Sequence, residues 1–241
     1  MAGGLSRLFG RWRDRPSRHH AYALLTDHGV AYGRIPKAAN SMMRARLVRH
    51  AGIVGGGSAK VNQDAFWADR NTKGTALLTG RGLCEAWPDA YVFTIVRNPF
   101  ARLVSTYENK ILYAPKGPRL GKGFAKDMAF DAFVEAVAET TDDSADFHIR
   151  SQTSLLFGGG DPPMLHVLKL ERLQTDWGDL RRGVRAKGFD IGRPPRPRPM
   201  PNQPRLAHNP WTPRLVALLN QRYAADFARF YHDAVEPEWT R

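Results

Sequence analysis

The sequence predicts an α/β protein, a mostly parallel sheet flanked by helices in three layers, formed as a single domain by residues 21–241 behind a basic extension, 1–20. Three observations carry this expectation. Short apolar runs that read as strands alternate with stretches of helical period. Two of those strands end abruptly in loops that bear a cation and lead straight into a helix. The 241 residues, 42% hydrophobic and 10% aromatic, suffice for one sizeable core.

In chain order, the extension carries Leu5, Leu8, Phe9 and Trp12 at i, i+3, i+4 and i+7, with Arg7, Arg11, Arg13, Arg15 and Arg18 around them. A basic amphipathic helix over 5–18 suits an anionic membrane surface, giving peripheral membrane contact. A helix packed on the domain or an unstructured tail fits the same pattern. "VAYGRI" (30–35) predicts a strand, "PKAANS" (36–41) a loop, and 42–51 a helix with Met43, Leu47 and Val48 on its apolar face.

Residues 52–75 are Gly-rich and polar and predict a loop, interrupted by Phe66 and Trp67. "YVFTIV" (91–96) predicts a strand that stops at Arg97-Asn98-Pro99. Leu103, Val104, Tyr107 and Ile111 then repeat at helical spacing. "APKGPRLGKG" (114–123) is a basic loop, 128–140 an amphipathic helix, 164–171 a buried strand and 175–188 the helix after it. "GRPPRPRPMPNQPR" (192–205) is too proline-dense for either element and predicts an extended surface loop. Residues 213–230 predict a closing helix.

Composition narrows the partners. The 36 Lys and Arg against 23 Asp and Glu leave a formal charge of +13 and a pI near 10.3. Such a surface favours polyanions: nucleic acid, anionic lipid, acidic polysaccharide or a phosphorylated cofactor. Cys84 is the only cysteine, which excludes an intrachain disulfide and a cysteine-based zinc site. A reducing, cytoplasmic setting is the simplest expectation, with the 5–18 stripe at the inner membrane surface as its variant. No apolar stretch approaches the about 20 residues that span a bilayer, and the first residues do not resemble a signal peptide.

The chemistry lies in the two strand–loop–helix units. In the first, Pro36 ends the strand, and Ala38 and Ala39 let backbone approach a ligand closely. Loop amides and the positive end of the next helix converge there, with Lys37 adding a full charge and Ser41 a hydroxyl donor. The result has the chemistry of a phosphate cradle without the Walker spelling. In the second, Arg97 leaves the strand tip able to fork onto a phosphate, and Ser105 stands eight residues later, about two helical turns on. Two anion sites at the carboxyl ends of two strands suit one ligand with phosphates at distant points.

"IPKAANSMMRARL" and "FTIVRNPFARLVSTYENKI" resemble the two cofactor motifs of sulfotransferases that use 3'-phosphoadenosine 5'-phosphosulfate (PAPS), most closely the carbohydrate group called sulfotransferase family 2. The resemblance implies a P-loop-NTPase-like sulfotransferase fold and a 5'-phosphosulfate site at Pro36, Lys37, Ala38, Ala39, Asn40, Ser41 and Met42. It implies a 3'-phosphate site at Arg97 and Ser105. "DFHIRSQTSLLF" resembles the family's His-x-x-x-Gln segment, which makes His148 the implied base with Gln152 in register, beside Lys37 as the other implied catalytic residue. "HVLKLERL" resembles a later family strand ending in glutamate, and "RYAADFARFYH" its terminal helix. Met42 departs from the pattern, since the family often has a second hydroxyl or amide residue there.

The expected reaction is in-line transfer of a sulfuryl group from PAPS to an acceptor hydroxyl, with a carbohydrate or glycolipid as the implied acceptor. Positioning and charge stabilisation would supply most of the rate, and no metal is expected.

Blander readings exist for each residue. Lys37 alone reads as a surface lysine, Arg97 as a capping residue, Ser105 as a small packing residue and His148 as a surface or core histidine. His166 lies inside an apolar strand and reads as structural, while Glu171 suits either the cleft or a pairing with Arg172.

Two other functions compete. A P-loop nucleotide kinase would need "GPRLGKG" (117–123), which is a residue short of the Walker pattern and lacks its Ser or Thr. A nucleic-acid-binding protein would use the +13 charge, but no such signature appears, and the aromatics sit in apolar runs rather than among basic residues.

Overall fold

The computed structural model describes residues 18–55, 59–68, 72–114, 117–195, 205–232 and 237. The amphipathic stripe of 5–18 therefore lies, but for Arg18, outside the described residues, as does most of the proline-rich segment. By internal contact the chain forms two compact units, one from residues 1–95 and 155–195, the other from 96–154 and 196–241.

The first unit holds a five-stranded sheet. Its strands are β1 (Tyr22–Leu25), β2 (Val30–Gly33), β3 (Thr75–Leu78), β4 (Tyr91–Val96) and β5 (Leu165–Lys169), in the order β3-β1-β2-β4-β5. β1 pairs antiparallel with both β2 and β3, and β2 pairs parallel with β4. The sheet is thus mixed, not mostly parallel as the sequence predicted, because β1 runs antiparallel to both of its neighbours. β1 and β3 are four-residue, wholly buried runs, YALL and TALL. Such runs lack the alternation that marks a half-buried strand.

β2 and β4 keep the expected placing, and as parallel neighbours they deliver the chain to the same end of the sheet. Where they end, Gly33 packs so tightly that a Cβ there would sit 2.7 Å from Leu156 Cδ2. The Thr94 hydroxyl donates to the Gly33 carbonyl at 2.8 Å.

Helix α1 (Asn40–His50) buries Met43, Leu47 and Val48 as its period requires, and Arg44 with them. Arg44 and Arg34 both reach Asp64, which opens α2 (Asp64–Ala68). This short helix corrects the expected loop over 52–75: Phe66 and Trp67 are buried, and the Trp67 indole donates to the Val61 carbonyl at 2.8 Å. Thr79 caps α3 (Gly80–Ala86) by accepting from the Gly82 amide. β5 is an edge strand only partly buried, with Met164 beside it 93% exposed, so the expectation of a buried strand is also corrected. Its His166 shares a 2.6 Å hydrogen bond with the Tyr91 hydroxyl, the structural part expected of it. A 3-10 turn (Leu170–Arg172), with Glu171 exposed on it, leads into α7 (Leu173–Arg185). Helix α6 spans Gln152–Phe157.

The second unit packs α4 (Pro99–Tyr107), α5 (Phe130–Glu139), α8 (Pro213–Arg222) and α9 (Ala224–Phe230). Phe100, Leu103, Tyr107, Phe130, Phe133 and Leu219 form its core, with Trp211 edge-on to both Phe100 and Phe130. Asn98 caps α4, accepting from the Phe100 amide at 2.9 Å, and Pro99 takes the first turn, where its missing N–H is harmless. A π-helical turn (Glu108–Leu112) follows α4 directly.

The predicted closing helix breaks at Tyr223, whose φ of −112° and ψ of 28° leave helical values. Its buried hydroxyl donates to the Ile149 carbonyl at 2.6 Å. Beyond the break Asp226 turns inward, accepting from the amides of Gln152 at 2.8 Å and Thr153 at 2.7 Å. It thereby satisfies donors that the start of α6 leaves open.

Candidate active site

The first loop lies between β2 and α1. Lys37 and Ala39 both have positive φ, 68° and 59°; among the described residues only Asp127 shares this trait without being glycine. Holding side-chain-bearing residues there costs on the order of 1 kcal/mol each. The turn closes through the Ala38 amide to the Ile35 carbonyl at 3.3 Å, with Ala38 fully buried.

Left-handed residues alternating through such a turn aim successive amides into one concavity. Ala39 stands at the N-cap of α1 with no side chain to cap it, and the first turn has no acid. The helix therefore presents open N–H groups and the positive end of its dipole beside Lys37. Asn40 follows with its side-chain oxygen buried and unpartnered; a half-turn of that amide would present its NH2 instead, a donor suited to an anion. Ser41 is exposed, and Pro36, Lys37 and Met42 are partly buried. This cradle fits a phosphosulfate in charge and donors.

The second group sits in the other unit. Arg97 is the first residue past β4, and its backbone is held from both sides by one side chain. The Arg97 amide donates to Gln152 Oε1 at 2.9 Å, and Gln152 Nε2 donates to the Arg97 carbonyl at 2.9 Å. Ser105 lies partly buried on α4. Two residues along the same helix flank it with tethers to the segment 146–152. Arg102, fully buried, donates to the carbonyls of Arg150 at 2.9 Å and Phe147 at 3.1 Å. The Thr106 hydroxyl bonds the His148 carbonyl at 3.2 Å. Arg97 and the helix that carries Ser105 are thus both hydrogen-bonded to the segment 146–152 that holds His148.

His148 is paired with Asp146. Its ring Nδ1 is 2.7 Å from Asp146 Oδ1, and its backbone amide donates to the same oxygen at 2.9 Å. Burial works against the Asp146 charge, but the His148 hydrogen bonds outweigh it and keep this carboxyl below its ordinary range. An ionised carboxylate only accepts, so Nδ1 carries the proton and Nε2 the lone pair. Burial also lowers the His148 pKa, with Lys110 and Arg102 acting in the same sense and Asp146 opposing them. The imidazole is therefore neutral near pH 7, as a proton acceptor must be.

A model of the Sulfotransferase family matches residues 20–232, across both units. The chain belongs to the sulfotransferase family. It is thereby a transferase of sulfuryl groups, and the family implies a hydroxyl-bearing acceptor and in general takes its sulfate from PAPS. No curated protein and no solved structure matches it significantly.

Sequence reasoning does not reach the roles of three residues in this family member's assembly. Asp146 stands two residues before the histidine, a local signal that could have found it. Gln152 marks only a register in the sequence, and its hold on Arg97 exists only in the fold. Asp226 gave no signal, since it stands 74 residues from its partner Gln152. The kinase alternative loses its helix: the loop 117–123 runs into turns, and the next helix starts only at Phe130. Among the described residues, no cluster of His, Cys, Asp and Glu is arranged to hold a metal, and no helix is long and apolar enough to cross a membrane.

Proposed function

We propose that this chain transfers a sulfuryl group from PAPS to a hydroxyl of a glycan or glycolipid, working as one P-loop-like domain over 21–241. When bound, the cofactor supplies the sulfuryl group already activated as a mixed anhydride with phosphate. Lys37 and the amides of 38–42 hold the 5' end, with Pro36 ending the strand so that the loop can turn. Lys37 also offsets the negative charge that grows on the leaving oxygen. Arg97 and Ser105 hold the 3'-phosphate. His148 takes the acceptor's proton at Nε2 while Asp146 keeps its ring in the right tautomer.

The observation that carries the reading is the 2.7 Å Asp146–His148 pair within the assembly that fixes Arg97. A nucleic-acid-binding protein has no use for an oriented neutral imidazole. A cytoplasmic setting with peripheral membrane contact through 5–18 belongs to the same proposal, motivated by the lone Cys84 and the basic stripe.

Calorimetry with 3'-phosphoadenosine 5'-phosphate and with adenosine 5'-phosphate tests the nucleotide site. The wild type should favour the 3'-phosphorylated form, and Arg97→Ala should lose that preference. Equal binding of both nucleotides by the wild type would refute the reading. Transfer of labelled sulfate from PAPS to a panel of glycans and glycolipids then identifies the acceptor.

A further inference from the structure

We propose that Gln152 sets the preference for a 3'-phosphorylated nucleotide, as a positioning residue that locks the main chain of Arg97. The inference rests on the reading of Arg97 as the 3'-phosphate ligand.

Arg97 lies between the end of β4 and the start of α4, and its amide N–H and carbonyl need one acceptor and one donor. A primary amide can answer both needs, accepting with its oxygen and donating with its nitrogen. Gln152 does so at 2.9 Å on each side, in the manner of a neighbouring strand. A carboxylate could only accept, and a hydroxyl is too short to span the two sites.

The clamp is itself anchored. Gln152 is fully buried, its amide donates to Asp226 Oδ2 at 2.8 Å, and its Nε2 stands 3.4 Å from the same oxygen. Asp226 is also fully buried and takes the Thr153 amide on its other oxygen. Gln152 thus begins α6 with its amide N–H and both side-chain polar atoms engaged, which holds its head against Arg97.

The lever arm makes this matter. A guanidinium stands several bonds from its Cα, so a small rotation of the main chain moves it by an ångström or more, and misplacement on that scale costs about a hundredfold in a positioned contact. The four-residue spacing of His148 and Gln152 also acquires a physical meaning. One short segment carries the proton acceptor and, at its far end, the brace for the phosphate ligand.

The test is the ratio of affinities for 3'-phosphoadenosine 5'-phosphate and adenosine 5'-phosphate. Gln152→Glu keeps size and acceptor but loses the donor and sets a negative charge against the Arg97 carbonyl and Asp226. Gln152→Ala removes both contacts. Each should cut the wild-type ratio by about tenfold or more, toward that of Arg97→Ala, while adenosine 5'-phosphate binding changes much less.

If both variants keep the wild-type ratio while Arg97→Ala abolishes it, the inference fails and the functional reading stands. The same holds if both nucleotides weaken equally, since that is the mark of a merely structural residue. If the wild type itself shows no preference, the reading of Arg97 falls first. Should neither variant fold, amide hydrogen exchange in the wild type decides. The Arg97 amide should be protected and become more so with the 3'-phosphorylated nucleotide, and exchange at the rate of an open loop overturns the clamp.

Discussion

His148 can act as a base only while its ring is neutral and its lone pair is on Nε2 rather than on the Nδ1 that faces Asp146, and burial and Asp146 divide these tasks. Burial, the larger influence, lowers its pKa, so the acid limb of kcat/KM should lie below the ordinary histidine value of about 6.5. A limb at or above that value would exclude His148 as the base. Asp146 pulls the other way, so Asp146→Asn should move the limb to still lower pH. It should also cost about ten- to a hundredfold in kcat, as is usual for groups that orient an imidazole. His148→Ala should cost more, about a hundred- to ten-thousandfold, with nucleotide affinity unchanged. Pre-steady-state sulfate transfer against pH, with calorimetry alongside, separates these outcomes.

Elements bring these side chains to bear, and their ends matter more than their middles. Asn98 caps α4 one residue after Arg97, while Thr212 caps α8 by accepting from the Leu215 amide. Asn98→Ala and Thr212→Ala should each lower unfolding free energy by about 1 kcal/mol in urea titrations. Only Asn98→Ala should also weaken binding of the 3'-phosphorylated nucleotide. Equal effects of both on binding would remove the α4 entrance from the site.

The entrances of α1 and α4 were legible in the sequence because each joins an apolar run, an abrupt stop and a helical repeat within some twenty residues. β1 and β3 were not legible, since four consecutive buried apolar residues carry no period. Nor was the break at Tyr223, which depends on contacts to Ile149, Gln152 and Thr153 far away in the chain. The candidate site divides the same way: the cationic loops and His148 declare themselves locally, whereas the Asp226 anchor exists only after folding.

At the scale of the whole molecule, the +13 charge sets the response to acid. Protonating the 23 carboxylic side chains leaves 36 Lys and Arg to repel one another, which disfavours the compact state. Specific carboxylates sharpen the fall. Burial opposes the Asp142 charge, but the Ser151 hydroxyl and amide and the Arg222 guanidinium, 2.6 Å away, outweigh it and hold its pKa below the ordinary range.

A depressed carboxyl contributes stability that is fully present above the unfolded value of about 4 and is lost as pH falls through the lower folded value. Asp226 has the opposite sign. Burial raises its pKa, so its contribution is greatest when the carboxyl is protonated and declines as pH rises through the folded value. Urea titrations across pH 2–7 should therefore show stability falling below about pH 4. Asp142→Asn should be less stable than wild type at neutral pH, with a shallower loss on acidification, so that the two curves converge. Parallel curves would mean that the Asp142–Ser151–Arg222 contacts are equally strong in both protonation states, and the acid response would then come from other carboxylates and general charge repulsion.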